Sequence, residues 1–230
     1  MQNTRRISLL AGLAYLSIFF SAIYANFIVL QSLWIKNDAA QTAINLSDNW
    51  TQFQTGVAAF VFTFFIDLLL SYWLFLLFRK ANHRLALASS SMRLVYTLIF
   101  GYGIYHLMAI SGLNEAVPTE VAEQAALHLE LFNKYWTGGL LIFGAHLLLL
   151  GVLIVRTAAI PQWIGGLLVL AGLGYWIDGA AQFLLPNYTD YRLLFESIVI
   201  IPAVIGEMAI TLFLLFRKPR ESVEKSLISA

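Results

Sequence analysis

The chain has 230 residues, of which 60% are hydrophobic and 12% charged, with a formal net charge of +1. A water-soluble domain carries roughly 25% charged residues, so much of the polar surface needed to face water is missing and the composition reads as an integral membrane protein. Near-neutral charge, with no basic patch interleaved with aromatics, excludes nucleic acid as a partner. The absence of cysteine excludes disulfides, thiolate metal sites and cysteine nucleophiles.

Uncharged or nearly uncharged apolar runs fall at about 7–35, 55–78, 85–112, 135–155, 158–185 and 197–216. Each is long enough to cross a hydrocarbon core of roughly 30 Å at about 1.5 Å per residue. They predict an all-α polytopic bundle of six spans, a single membrane domain over 1–230 with no room for a separate soluble domain. Arg5 and Arg6 before the first run imitate a signal peptide, but Ile7 to Ile35 far exceeds an h-region of about 7–15 residues. It is read as a retained span.

The loops differ in charge. Arg5 and Arg6, then Arg79, Lys80 and Arg84, then Arg156, then Arg217, Lys218, Arg220 and Lys225 fall on one side. The other side has only Lys36, Lys134 and Arg192, and it collects acidic residues including Asp38, Glu115, Glu120, Glu123 and Asp190. The positive-inside rule puts both ends in the cytoplasm. In the first outer loop, Asp38 to Gln41 has capping-box spacing and predicts a short helix. In the second, Pro118-Thr119-Glu120 starts a helix with Val121, Ala125, Leu129 and Phe132 on one face. The alternative there is a simple extension of span four.

Spans two and six end in the same seven residues, Leu74–Lys80 and Leu212–Lys218, and Ala11-Gly-Leu-Ala-Tyr15 resembles Ala171-Gly-Leu-Gly-Tyr175. Each even span also carries a polar residue in mid-membrane and then a basic end: Asp67 with Arg79, His146 with Arg156, Glu207 with Arg217. A threefold repeat of helical hairpins would produce this pattern. Leu-rich spans ending in basic residues would also match one another cheaply.

Ionisable groups inside spans cost at least about 2.5–3.5 kcal/mol each and face the bundle interior, water or a partner. Here they are Asp67, Arg93, Asp178 and Glu207, joined by His106 and His146. Asp67 lies about 18 Å from Arg79 along its helix, while His146 and Glu207 lie about 15 Å from Arg156 and Arg217. All three thus sit near one level. Arg93 is about 13 Å past Arg84, within about a turn of Asp67 across a tight hairpin, which predicts a buried Asp67–Arg93 ion pair. His106 and Asp178 share the outer half.

Two accounts of this polar centre stand side by side. His146, Glu207 and Asp67 are a donor set suited to a divalent metal such as zinc or iron. Alternatively Asp67 pairs with Arg93, Glu207 holds a proton, and His146 donates to a backbone carbonyl. A haem held by His106 and His146 is disfavoured by their different depths. The glycines of spans four and five, among them Gly144, Gly151, Gly165 and Gly172, are read as close helix packing. Trp34, Trp50, Trp136 and Trp163 are read as interface aromatics.

Several stretches together resemble a bacterial family of multi-pass membrane proteins catalogued only as a domain of unknown function. They include Arg6 with Ala11-Gly12 and Tyr15-Leu16, Arg93 among small residues, Phe143-Gly-Ala-His-Leu-Leu-Leu-Leu-Gly151, Ile160-Pro161, Ala171 to Asp178, Leu185-Pro186 and Gly206-Glu207. The resemblance implies a six-helix fold in a bacterial cytoplasmic membrane, with His146, Asp178 and Glu207 at motif positions, and it implies no activity.

Three functions follow. The first, which the sequence favours, is binding or transport of a small ligand, ion or proton by a polar core of His146, Glu207, Asp67, Arg93 and Asp178. The second is a metal-dependent intramembrane hydrolase acting on a lipid-like substrate. The third is a structural or accessory subunit whose polar residues specify helix pairing. A cavity reaching His146 is expected of the first, and a dry, fully paired core of the third. The lipid bilayer is the one partner common to all, and oligomeric state is left open.

Overall fold

The computed structural model describes residues 2–112 and 121–219. Among them the chain is helical without a strand. Helix α1 (Gln2–Ile23) runs on through a π-helical stretch (Tyr24–Leu30) and a last turn (Gln31–Leu33). Then follow α2 (Ala39–Asp48), α3 (Trp50–Phe78), α4 (His83–Ser111), α5 (Ala122–Thr157), α6 (Gln162–Leu184) and α7 (Tyr188–Phe216). Among the described residues six helical segments are long and apolar enough to cross a membrane, at Thr4–Leu33, Trp50–Phe78, His83–Ser111, Ala122–Thr157, Gln162–Gln182 and Asp190–Phe216.

The distribution of side chains is that of a bilayer protein. Phe20, Phe65, Leu98 and Leu193 are each more than half exposed, whereas Asp67, Arg93 and His146 are at most 2% exposed. Water would reverse that pattern, since a soluble core buries apolar groups and leaves ions outside.

The expected short helix in the loop after the first span is present as α2. The Asp38 carboxylate accepts from the Gln41 backbone N–H at 2.9 Å and satisfies one of the orphan donors of the first turn. Asn37 enters it at φ 66°, in a left-handed conformation that Asn tolerates better than most residues. The helix expected in the loop before span four is the start of α5, so the extension holds. Ala125, Leu129 and Phe132 are buried while Glu123 and Glu130 are exposed, as their spacing predicts. Pro118-Thr119-Glu120 lies outside the described residues. Because α5 starts at Ala122, Trp136 lies inside a helix rather than at a span end.

Two compact units are distinguishable. One comprises 17–67 and 97–139. Its core is aromatic: Phe60 of α3 packs on Phe100 of α4 and on Phe132 and Trp136 of α5, with centroids 5.1–5.7 Å apart. Trp136 therefore packs with other rings, which adds about 0.5–1.5 kcal/mol per pair beyond area burial. Hydroxyl pairs Ser21–Thr63 and Tyr24–Thr55, both at 2.7 Å, join α1 and its π-helical extension to α3. Such bonds between helices replace the hydrophobic drive that a bilayer does not supply.

The other unit comprises 1–16, 68–96 and 140–230. In it α5 and α6 run backbone to backbone. A Cβ on Gly151 would stand 2.6 Å from the Gly165 carbonyl oxygen, and one on Gly172 would stand 2.6 Å from that of Gly144. The two glycine pairs are about two turns apart on each helix. Between these helices, Ala158 adopts φ 48° and its N–H returns to the Ile154 carbonyl at 2.9 Å, an αL cap of α5, with Pro161 following.

Pro202 lies inside α7 and has no N–H to offer the Ile198 carbonyl. That oxygen faces Gly174, where a Cβ would approach it to 2.9 Å. At the end of α7, Arg5 of α1 donates to the carbonyls of Leu214, Leu215 and Arg217 at 2.6–3.1 Å. It covers orphan acceptors with a cation where the helix dipole is negative.

Candidate functional site

The sequence places Ser89 and Arg93 four residues apart on α4, so both project from one face. His146 of α5 fits between them. Arg93 Nη1 donates to His146 Nε2 at 3.2 Å, and His146 Nδ1 lies 2.9 Å from the Ser89 carbonyl oxygen. A guanidinium can only donate, so Nε2 holds the lone pair and Nδ1 carries the proton. His146 therefore donates to a backbone carbonyl, as the second account of the polar centre expects. The Ser89 hydroxyl, 3.0 Å from Nδ1, also reaches the His146 carbonyl at 3.3 Å.

The Arg93 guanidinium is held between two rings, with Tyr15 of α1 at 5.1 Å and Phe143 of α5 at 5.4 Å from its carbon. Cation–π contacts of this kind are worth about 0.5–1 kcal/mol when exposed and about 2 when desolvated. Tyr15 Oη is a longer acceptor for Arg93 at 3.5 Å. His146 is 0% exposed, Arg93 1%, Ser89 2% and Tyr15 3%. Burial of a cation at this level is tolerable only because rings and hydrogen-bond acceptors replace its water.

The other residues singled out in the sequence are distributed as follows. Asp67 is buried and accepts a short hydrogen bond from the Thr97 hydroxyl. Asp178 accepts from Gln182 and from Tyr188, each at 2.7 Å, and so ties α6 to the start of α7. Burial, then the bond to Asp178, raises the Tyr188 pKa, and the phenol stays protonated. Glu207 is half-buried and lies within electrostatic reach of Tyr175, whose ring packs on Phe143. His106 pairs with His128, Nδ1 to Nδ1 at 3.0 Å, and stacks on Tyr135 at 5.6 Å. His106 Nε2 is buried with no hydrogen-bond partner among the described residues.

Ser89, Tyr15 and His128 were not predicted as site residues. Ser89 was accessible from its spacing to Arg93. His128 was hidden because the apolar run of span four begins near residue 135, well after the helix does. Among the described residues no group of three or more His, Cys, Asp or Glu side chains is placed to hold a metal ion. His146 itself has its Nε2 lone pair directed at the Arg93 cation, where a zinc, iron or haem iron would need it.

Residues 10–217 match the family described as "Domain of unknown function (DUF4386)". A protein of Archaeoglobus fulgidus described as "Uncharacterized protein" is 26% identical over 118 residues, which cover 51% of this chain and 61% of that one. This chain therefore spans less than two thirds of that relative's length. No solved structure matches the chain.

Proposed function

The chain belongs to the DUF4386 family, a membership that brings no activity with it, and from that premise we propose that it serves as a structural or accessory membrane subunit whose polar centre locks helices together. One observation carries this: both ring nitrogens of His146 are taken by α4, and the ring has no exposed surface. A residue that received a substrate, an ion or a proton from outside would need a free nitrogen and a path to it. The glycine-paired contact of α5 with α6 and the Arg5 cover on the end of α7 belong to the same role, as devices that set helix packing. On this proposal the protein resides in a bacterial cytoplasmic membrane with both termini inside, and Arg5 beside Arg217 supports a common side for the two ends. Reporter fusions at each terminus test that orientation.

The deciding experiment compares wild type with His146→Ala in detergent, by thermal melting and by elemental analysis with a visible spectrum. A marked loss of stability with no change in metal or chromophore supports the lock. An unchanged melting temperature with loss of a bound metal would overturn it in favour of an intramembrane metalloenzyme.

A second role, binding of a small ligand, ion or proton, is favoured by His106 Nε2, which lies beside His128, buried and with no hydrogen-bond partner among the described residues. It would place the site at this pair rather than at His146. Its test is a titration of ¹⁵N-histidine-labelled protein with protons and with Zn²⁺: no change in either ring's signals would remove it.

A further inference from the structure

Two apolar grooves lie in the unit that contains α6 and α7, and Trp163 is a wall of both. The first, of about 790 Å³, runs between α5 and α6, from Arg156 and Trp163 to Leu170. The second, of about 660 Å³, runs between α6 and α7, from Arg217 to Val204. At 1.5 Å per residue the first extends about 10 Å along α6 and the second about 20 Å along α7, the latter more than half of a hydrocarbon core. Each groove is thus apolar over its length and cationic at its mouth.

Three features separate these grooves from the ordinary lipid-facing surface. The lining of the first includes Gly166, where an added Cβ would meet nothing within 4 Å, so space is left beside the side chains of Leu167, Val169 and Leu170. Trp163 stands 60% exposed between the two grooves as a flat partition, at the end of a span where indole prefers to sit. Arg156 and Arg217 are both exposed, and among the described residues neither guanidinium has an ion-pair partner. Their positive charge is reinforced by Arg5, which is bonded to the Arg217 carbonyl.

We propose that these paired grooves bind one anionic phospholipid, an acyl chain in each groove astride Trp163 and the phosphate facing Arg156 and Arg217. Charge complementarity selects the occupant: guanidinium groups at the membrane surface recognise phosphate, and a net negative headgroup leaves their charge compensated where a zwitterion brings its own cation. Two separate apolar channels that share Trp163 as a wall, each with one arginine in its lining, match a molecule with two chains and one headgroup. The proposal is independent of the role of His146.

The test is native mass spectrometry of the delipidated full chain in detergent, titrated with phosphatidylglycerol or with phosphatidylcholine of the same acyl chains. One phosphatidylglycerol should be retained at about one tenth of the concentration that phosphatidylcholine needs. The double variant R156A/R217A, altered only at exposed positions, should fold normally and bind both lipids equally. Gly166→Leu should weaken retention of both, because its side chain grows into the groove rather than into the bundle. Equal retention of the two lipids by wild type would overturn the proposal, reducing the grooves to ordinary lipid contact. So would a preference that survives in R156A/R217A, which would place the anionic site elsewhere. If Gly166→Leu fails to fold, the arginine variant decides alone.

Discussion

Arg93 and His146 face each other across 3.2 Å, the guanidinium donating and the imidazole Nε2 accepting. With the Ser89 carbonyl on the opposite nitrogen, one ring ties together two positions one turn apart on α4. Removing the ring leaves a buried cation without that acceptor, so His146→Ala should destabilise the protein by about 3 kcal/mol. Ser89→Ala takes away only a hydroxyl and keeps the carbonyl that accepts from Nδ1. Its cost should stay near 1 kcal/mol. Thermal melts of both variants in one detergent check the ranking, and a larger loss for Ser89→Ala would contradict the assigned proton position.

The sequence-based proposal that Asp67 pairs with Arg93 is open to a double-mutant cycle. Arg93→Ala alone should cost about 3–5 kcal/mol, as expected when one charge of a buried pair is stranded. Arg93→Ala combined with Asp67→Asn should recover 1 kcal/mol or more of that loss, on the order typical of coupled neighbours. Additive losses in chemical denaturation would mean that the two residues act independently.

The glycines of α5 and α6 should respond unequally to alanine. At Gly151 and Gly172 the obstacle to a Cβ is a backbone carbonyl of the facing helix, 2.6 Å away, which cannot rotate aside. Each substitution should force the helices apart and cost about 1–3 kcal/mol. At Gly138 and Gly166 nothing lies within 4 Å, and alanine should be neutral or should stabilise by up to about 1 kcal/mol through helix propensity. Melting temperatures that fail to separate the two sets would contradict the close approach of α5 and α6.

Ala158 caps α5 at φ 48°, a conformation in which a Cβ costs about 1–2 kcal/mol. Ala158→Gly should therefore raise stability, by about 0.5–1 kcal/mol once the added freedom of the unfolded chain is subtracted. A lower melting temperature for this variant would show that the left-handed cap is not formed.

Much of the architecture was legible in the residues. Six spans, the α2 helix and its Asp38 cap, and the inward face of the start of α5 all follow from length, hydropathy and period, because a bilayer forces every backbone group into local helical bonds. What burial demands of a polar group was legible too, since His146 had to find a partner. Which partner it finds was not. That depended on the rotation of α4 against α5, set by packing between segments far apart in sequence, while the pairing of His106 with His128 was concealed because the helix begins well before its apolar run. The grooves beside Trp163 were likewise invisible in one dimension. Only the packed helices bring Gly166 and Arg156 into one groove and Arg217 into the other, with Trp163 between them.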